Sequence, residues 1–168
     1  GYLETLRDYG RVLRQRNAVL RSQDKGTLKL WTSRLAALGD AVTRCRRAYL
    51  GTIQASICES MARLTPGLEL EFDYYPGWNG NSLSEELGTG IARDVKLGAT
   101  QAGPHRADIS LKCGEASAAA VLSRGQGKAV ATALRIGQAL GLLNDLAKQS
   151  LFLIDDVWAE RDDAHSKR

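Results

Sequence analysis

Two short runs in this chain carry side chains suited to phosphate chemistry. The first, Leu122-Ser-Arg-Gly-Gln-Gly-Lys128, sets a serine and a glycine-rich turn ahead of apolar residues at Val130, Leu134, Ile136, Leu140 and Leu143. That is the pattern of a buried helix N-capped near Ser123. An exposed glycine-rich turn opening a helix attracts anions, because unpaired backbone N–H groups and the positive end of the helix dipole point outward. Lys128 adds charge one turn in. The second run, Leu151-Phe-Leu-Ile-Asp-Asp156, reads as a wholly apolar strand ending in two carboxylates. Such a strand is buried on both faces, as in the central sheet of an α/β ATPase. Carboxylates at its C-terminal end are placed to hold a Mg²⁺-linked water and to polarise an attacking water. The run Gly-Gln-Gly-Lys is not a P-loop: that pattern needs Gly and a Ser or Thr where this chain has Leu122 and Ala129.

These groups need elements to position them. Residues 2–22 are expected to form a helix, since Leu6, Leu13 and Leu20 recur every seven residues and Leu3 and Tyr9 widen the stripe. A second apolar series runs Leu28, Trp31, Leu35, Leu38, Val42, Cys45, Tyr49, Ile53, Ile57, Met61, Leu64 in steps of three and four. This predicts a longer helix that stops near Thr65, ahead of Pro66-Gly67. Two heptad helices joined by a turn around Asp24 and Gly26 make an antiparallel hairpin, an arm with a body attached. Arg7, Arg11, Arg14 and Arg21 share one face beside the leucine stripe. They could track a phosphate backbone, or be a solvated face with snorkelling stems.

After Gly67 the pattern changes. Leu68–Tyr75 alternates apolar and acidic residues and predicts a strand; Pro76–Asn81 is a loop and Ser82–Leu97 a helix. Short strands are expected at Ala99–Gln101 and Ala107–Lys112, around Gly103-Pro104-His105-Arg106, with a hairpin turn at Cys113-Gly114-Glu115. His105 reads as a structural loop histidine.

Composition narrows the classes. At 168 residues, 43% apolar and 25% charged, with three prolines, the chain is globular rather than disordered. Its longest apolar run is Ala118–Leu122, too short for a bilayer, and the N-terminus lacks a signal-peptide core. Three cysteines without a CxxC pair, and only two histidines, argue for a reduced, cytoplasmic chain and against structural zinc. The net charge of +4 is unevenly placed: residues 1–66 carry 12 Lys and Arg against 5 Asp and Glu, and the remainder is net negative. The only Met is Met61, so a section of a longer protein is expected.

Four segments together, Leu6–Arg21 (LRDYGRVLRQRNAVLR), Gly103–Ile109 (GPHRADI), Leu122–Lys128 (LSRGQGK) and Leu153–Asp163 (LIDDVWAERDD), resemble the RecF family of bacterial recombination mediators, which belongs to the ABC/SMC class of ATPases. The likeness covers nearly the whole chain in the family's order. It implies a mixed α/β class: a partial ABC-type ATPase lobe, residues 67–168, with an antiparallel helical-hairpin arm, residues 1–66. Ser123, Arg124, Gly125 and Gln126 occupy the signature motif, which binds the γ-phosphate of ATP held by the opposing subunit. Asp155 holds Mg²⁺ through water, Asp156 stands at the catalytic carboxylate, and Glu160 and Asp162 fall in the D-loop. The hairpin matches the family's short arm, which makes Arg7, Arg11, Arg14 and Arg21 candidates for DNA contact. Implied cofactors are ATP and Mg²⁺. Implied partners are single- and double-stranded DNA at gaps or junctions, RecO and RecR, and a second subunit in an ATP-dependent homodimer; no membrane is involved. The chain departs from the family at Ala159 and Arg161, where the D-loop commonly has Ser and Leu, and at His165-Ser166, where an arginine pair is expected. Lacking Walker A, the chain alone is expected to be inactive as an ATPase. The alternative is a non-catalytic DNA-binding or interaction module on a degenerate ABC/SMC-like lobe.

Overall fold

A computed structural model describes residues 1–22, 25–80 and 82–146. The helices expected at the start are present: α1 spans Tyr2–Ser22 and α2 spans Lys25–Leu64. At 1.5 Å per residue, α2 is about 60 Å long. It ends one residue before Thr65, whose hydroxyl and amide both return to the Met61 carbonyl, and Pro66-Gly67 then turns the chain.

Strand β1 (Glu71–Tyr75) follows, then α3 (Leu83–Thr89) and α4 (Ile91–Leu97). The single helix expected over Ser82–Leu97 is therefore two. Gly90 is the C-cap of one and the N-cap of the next, and with Gly88 nearby the segment has little propensity to hold a continuous helix. Ser82 caps α3 by accepting from the Glu85 N–H. After a short 3₁₀ turn at Pro104–Arg106 come β2 (Asp108–Cys113), β3 (Ala116–Ser117), α5 (Ala118–Val121) and α6 (Arg124–Leu146). The strands form one sheet in the order β1-β2-β3, and β2 and β3 are antiparallel, with Lys112 opposite Ser117 and Cys113 opposite Ala116. The strand expected at Ala99–Gln101 does not form. Its backbone bonds side chains instead: the Thr100 N–H donates to Asn17 Oδ1 at 2.9 Å and the Gln101 N–H to Asp94 Oδ1 at 3.1 Å.

The described chain divides into two compact units, one of Gly1–Tyr49 with Asp73–Ser110, the other of Leu50–Phe72 with the described residues from Leu111. The first is built on a core of Tyr9, Val12, Leu35, Ala36, Val42, Trp78, Leu83, Leu87 and Ala102. A fully buried leucine such as Leu35 or Leu83 contributes about 1.5–3 kcal/mol. Of the stripe expected on α1, Tyr9 and Leu20 are buried, Leu6 and Leu13 are half-buried against the core and Leu3 is 65% exposed; Val12 and Arg16 complete the buried line. Likewise, of the second apolar series, Cys45 and Leu64 lie in solvent.

In the second unit, α6 crosses α2 at backbone contact. A Cβ on Gly137 would fall 2.5 Å from Ile57 Cα, and one on Gly141 would fall 2.7 Å from Ile53 Cγ2. Ala133, one turn earlier on α6, is wholly buried. This crossing fixes the helix whose N-terminus carries the serine and glycine turn.

Candidate functional site

Helix α6 opens where the sequence places it, and Ser123 is its cap. Ser123 Oγ accepts from the Gln126 N–H at 3.3 Å, and Gln126 Oε1 accepts from the Ser123 N–H at 2.9 Å. This reciprocal pair is a capping box, with Gln at the third helical position. The Gly127 N–H reaches the Ser123 carbonyl at 2.8 Å and starts the helical ladder. The N–H groups of Arg124 and Gly125 then have no acceptor within the helix and are left for one outside it. All four residues, Ser123 to Gln126, are exposed.

Chemistry follows from the donors. Ser123 uses a lone pair on the Gln126 N–H, so its own O–H is available to donate outward. Gln126 uses its carbonyl oxygen on Ser123, so its NH₂ is likewise outward. Glycine costs about 1 kcal/mol in a helix relative to alanine. Gly137 and Gly141 offset that by their close crossing, but a Cβ at Gly125 or Gly127 would meet nothing within 4 Å. Nothing described in this chain demands those two glycines; a phosphate approaching the backbone would. The set fits a phosphate group.

Asp155, Asp156, Glu160 and Asp162 lie outside the described residues, as does the strand expected at Leu151–Ile154. Among the described residues no group of three His, Cys, Asp or Glu side chains could hold a metal ion, and no helix is long and apolar enough to cross a membrane.

On α1, Arg7, Arg11, Arg14 and Arg21 are all exposed. At 3.6 residues per turn they share an arc of about 80°, and the buried line through Arg16 lies on the opposite side. Arg11 pairs loosely with Asp8 at 3.5 Å, and Arg21 Nη1 reaches the Gly98 carbonyl at 3.4 Å.

The residue that sequence reasoning missed is Arg16. It is fully buried: Nε donates to Thr32 Oγ1 at 3.0 Å, and Nη1 donates to Asp94 Oδ2 at 2.8 Å and to Thr100 Oγ1 at 2.7 Å. Thr100 Oγ1 in turn donates to Asn17 Oδ1 at 2.7 Å. The signal was present in the spacing, for Arg16 follows Tyr9 by seven residues and Val12 by four, on the apolar side of the helix.

The same cluster holds His105. Its Nε2 lies 3.1 Å from the Thr100 carbonyl, which can only accept, so Nε2 carries the proton and Nδ1 accepts from the Tyr9 hydroxyl at 2.7 Å. Burial pushes the imidazole below its usual range, partly offset by the Thr100 carbonyl, and burial raises the Tyr9 phenol. The loop beneath is closely fitted. Gly103 adopts φ 135°, and a Cβ there would fall 2.5 Å from the Tyr9 hydroxyl; Gly77, at φ 98°, accepts the Gly103 N–H at 3.0 Å. His105 is thus a structural link between α1 and the Gly103–Arg106 loop.

No protein-family model matches the chain. It is 36% identical over 169 residues to the DNA replication and repair protein RecF of Pseudomonas fluorescens strain SBW25, covering 99% of this chain and 46% of that protein. It is 38% identical over 160 residues to the same-named protein of Pseudomonas aeruginosa strain LESB58, covering 92% and 43%. The chain thus spans about half the length of the curated relatives it matches. Solved structures of the recombination mediator protein RecF in the RecFOR pathway, described as RecF-ATP and RecF-ATPrS, superpose with TM-scores of 0.82 and 0.81 at 24% and 25% identity, over 96% of this chain and 47% of theirs. The mixed helix and sheet fold expected from the sequence is that of those structures.

Proposed function

Because this chain belongs to the RecF family, spanning about half of a member's length, we propose that it supplies the DNA-facing arm and the trans-acting nucleotide-contact segment of a RecF-type DNA replication and repair protein. The observation that carries the reading is the exposed, capped N-terminus of α6, where hydrogen-bond donors converge at Ser123–Gln126 and two glycines face open space.

In this reading Ser123, Arg124, Gly125 and Gln126 contact the γ-phosphate of ATP bound to an opposing subunit. The Ser123 hydroxyl, the Gln126 amide and the free backbone N–H groups donate, and Arg124 adds charge. Their placement costs no reorganisation, since the capping box already orients both side chains. ATP held in this way joins two subunits into a homodimer. Asp155 would hold Mg²⁺ through water and Asp156 would polarise the attacking water, while Glu160 and Asp162 would face the partner as the D-loop. The arm, residues 1–66, contacts the phosphates of DNA at gaps or junctions through Arg7, Arg11, Arg14 and Arg21. RecO and RecR are the protein partners, and the setting is cytoplasmic.

A second reading, a non-catalytic DNA-binding or interaction module, is favoured by Ala159 and Arg161, which replace the hydroxyl and the apolar residue common in the D-loop. The two readings separate on nucleotide. If the first holds, the chain turns over no Mg-ATP alone but associates with a full-length relative such as the Pseudomonas fluorescens protein when ATP is present. Association indifferent to ATP supports the module.

A further inference from the structure

Five arginines lie on α1, and one of them faces inward. Apolar packing of Val12 and Leu20 holds α1 against its neighbours but is non-directional, so on its own it leaves the roll of the helix about its axis weakly specified; the Tyr9 hydroxyl adds one directional bond, to His105. Hydrogen bonds are directional. Arg16 is tied to Thr32 on α2, to Asp94 on α4 and to Thr100 after it, and the adjacent Asn17 accepts from both the amide and the hydroxyl of Thr100. Consecutive residues project about 100° apart around a helix. Two of them bonded to the same threonine fix roll and axial register together.

A buried ion pair is a poor device for stability alone, since apolar residues of similar volume often do as well or better. Its effect on orientation is different in kind. Rolling α1 by one residue position would swing Arg7, Arg11, Arg14 and Arg21 by about 100°.

We propose that Arg16, paired with Asp94, is the positioning residue of the arm's phosphate-contact stripe: it touches no DNA and holds the four exposed arginines in the orientation that does. This inference rests on the reading of that stripe as a DNA face.

The salt dependence of binding separates a positioning residue from a contacting one. On duplex DNA each neutralised phosphate contributes about −0.9 to the slope of log affinity against log salt. A residue that only sets orientation lowers the competent fraction, which weakens binding equally at every salt concentration.

The experiment titrates the 168-residue chain with a fluorescein-labelled duplex carrying a single-stranded gap, across a salt series, with thermal melting of every variant alongside. Arg7→Ala, Arg11→Ala and Arg14→Ala each flatten the slope by about 1. The double variant Arg16→Met with Asp94→Leu leaves no charge buried without a partner, so it keeps its melting transition. Its affinity falls about three- to tenfold at unchanged slope, as expected for a reduced competent fraction. Asp94→Asn keeps the Oδ1 acceptor for the Gln101 N–H but sets an NH₂ against the Arg16 Nη1 donor, so it lowers the melting temperature as well as the affinity, again at unchanged slope. A folded double variant that binds like the parent overturns the inference, as does one whose slope flattens as the Arg7 variant's does. If the parent chain itself shows no salt-dependent binding, the reading of the stripe fails first.

Discussion

Arg16 and Asp94 meet at 2.8 Å with side-chain exposures of 0% and 1%, joining α1 to α4 inside the first unit. Removing one partner strands the other. Arg16→Met alone leaves the buried Asp94 carboxylate with the Gln101 N–H and, at 4.0 Å, Arg93 Nε, neither of which reaches Oδ2, and the expected loss is about 3–5 kcal/mol. Adding Asp94→Leu should recover most of it. Urea denaturation of the two variants checks the difference; equal losses would show that the pair is not coupled.

His105 gives the first unit an acid-sensitive contact. Its folded-state pKa is depressed below the ordinary 6.5 by burial, so the unfolded chain binds the proton more readily. Stability from the Tyr9–His105–Thr100 chain is therefore fully present above pH 6.5 and falls as pH drops below it. Chemical denaturation at stepped pH should show that decline, and His105→Gln should flatten it. An unchanged profile in the variant would assign the acid response to other groups.

The crossing of α6 on α2 makes glycine substitutions informative. Gly137→Ala brings a methyl within 2.5 Å of Ile57 Cα, and backbone cannot step aside as a side chain can. The expected net cost is about 1–3 kcal/mol, despite the better helix propensity of alanine. Gly51→Ala, in open space on α2, should instead be neutral or stabilising by up to about 1 kcal/mol. Thermal melts of both variants decide it.

Ser123 separates capping from ligand contact. Ser123→Ala loses the cap and about 1 kcal/mol. Ser123→Asp keeps an acceptor for the Gln126 N–H, so stability holds, but it places a carboxylate where a phosphate would sit. Stability by denaturation and ATP-dependent association should move independently in the two variants.

Much of the positioning framework was legible in sequence because local signals carried it. The stop of α2 at Leu64 followed from Pro66-Gly67, and the start of α6 followed from Ser123 ahead of the apolar series that begins at Val130. What stayed hidden depended on pairs distant along the chain. Nothing near Arg16 announces Asp94, 78 residues on, so the stripe read through Tyr9 and Leu20 did not include the buried arginine that lies between them. Ala99–Gln101 read as a strand for the same reason: the Asn17 and Asp94 side chains take its amides. The four outward arginines stood out because their spacing needs no partner to be seen.

The proposed contact of Ser123–Gln126 with nucleotide lies across a subunit interface. The most direct measurement is anisotropy of the fluorescently labelled chain titrated with full-length RecF of Pseudomonas fluorescens, in ATP and in ADP. Association is expected in ATP only, and is lost in Gly125→Asp while that variant's melting stays near the parent's. Association that is equal in ATP and ADP, or that survives Gly125→Asp unchanged, would contradict it.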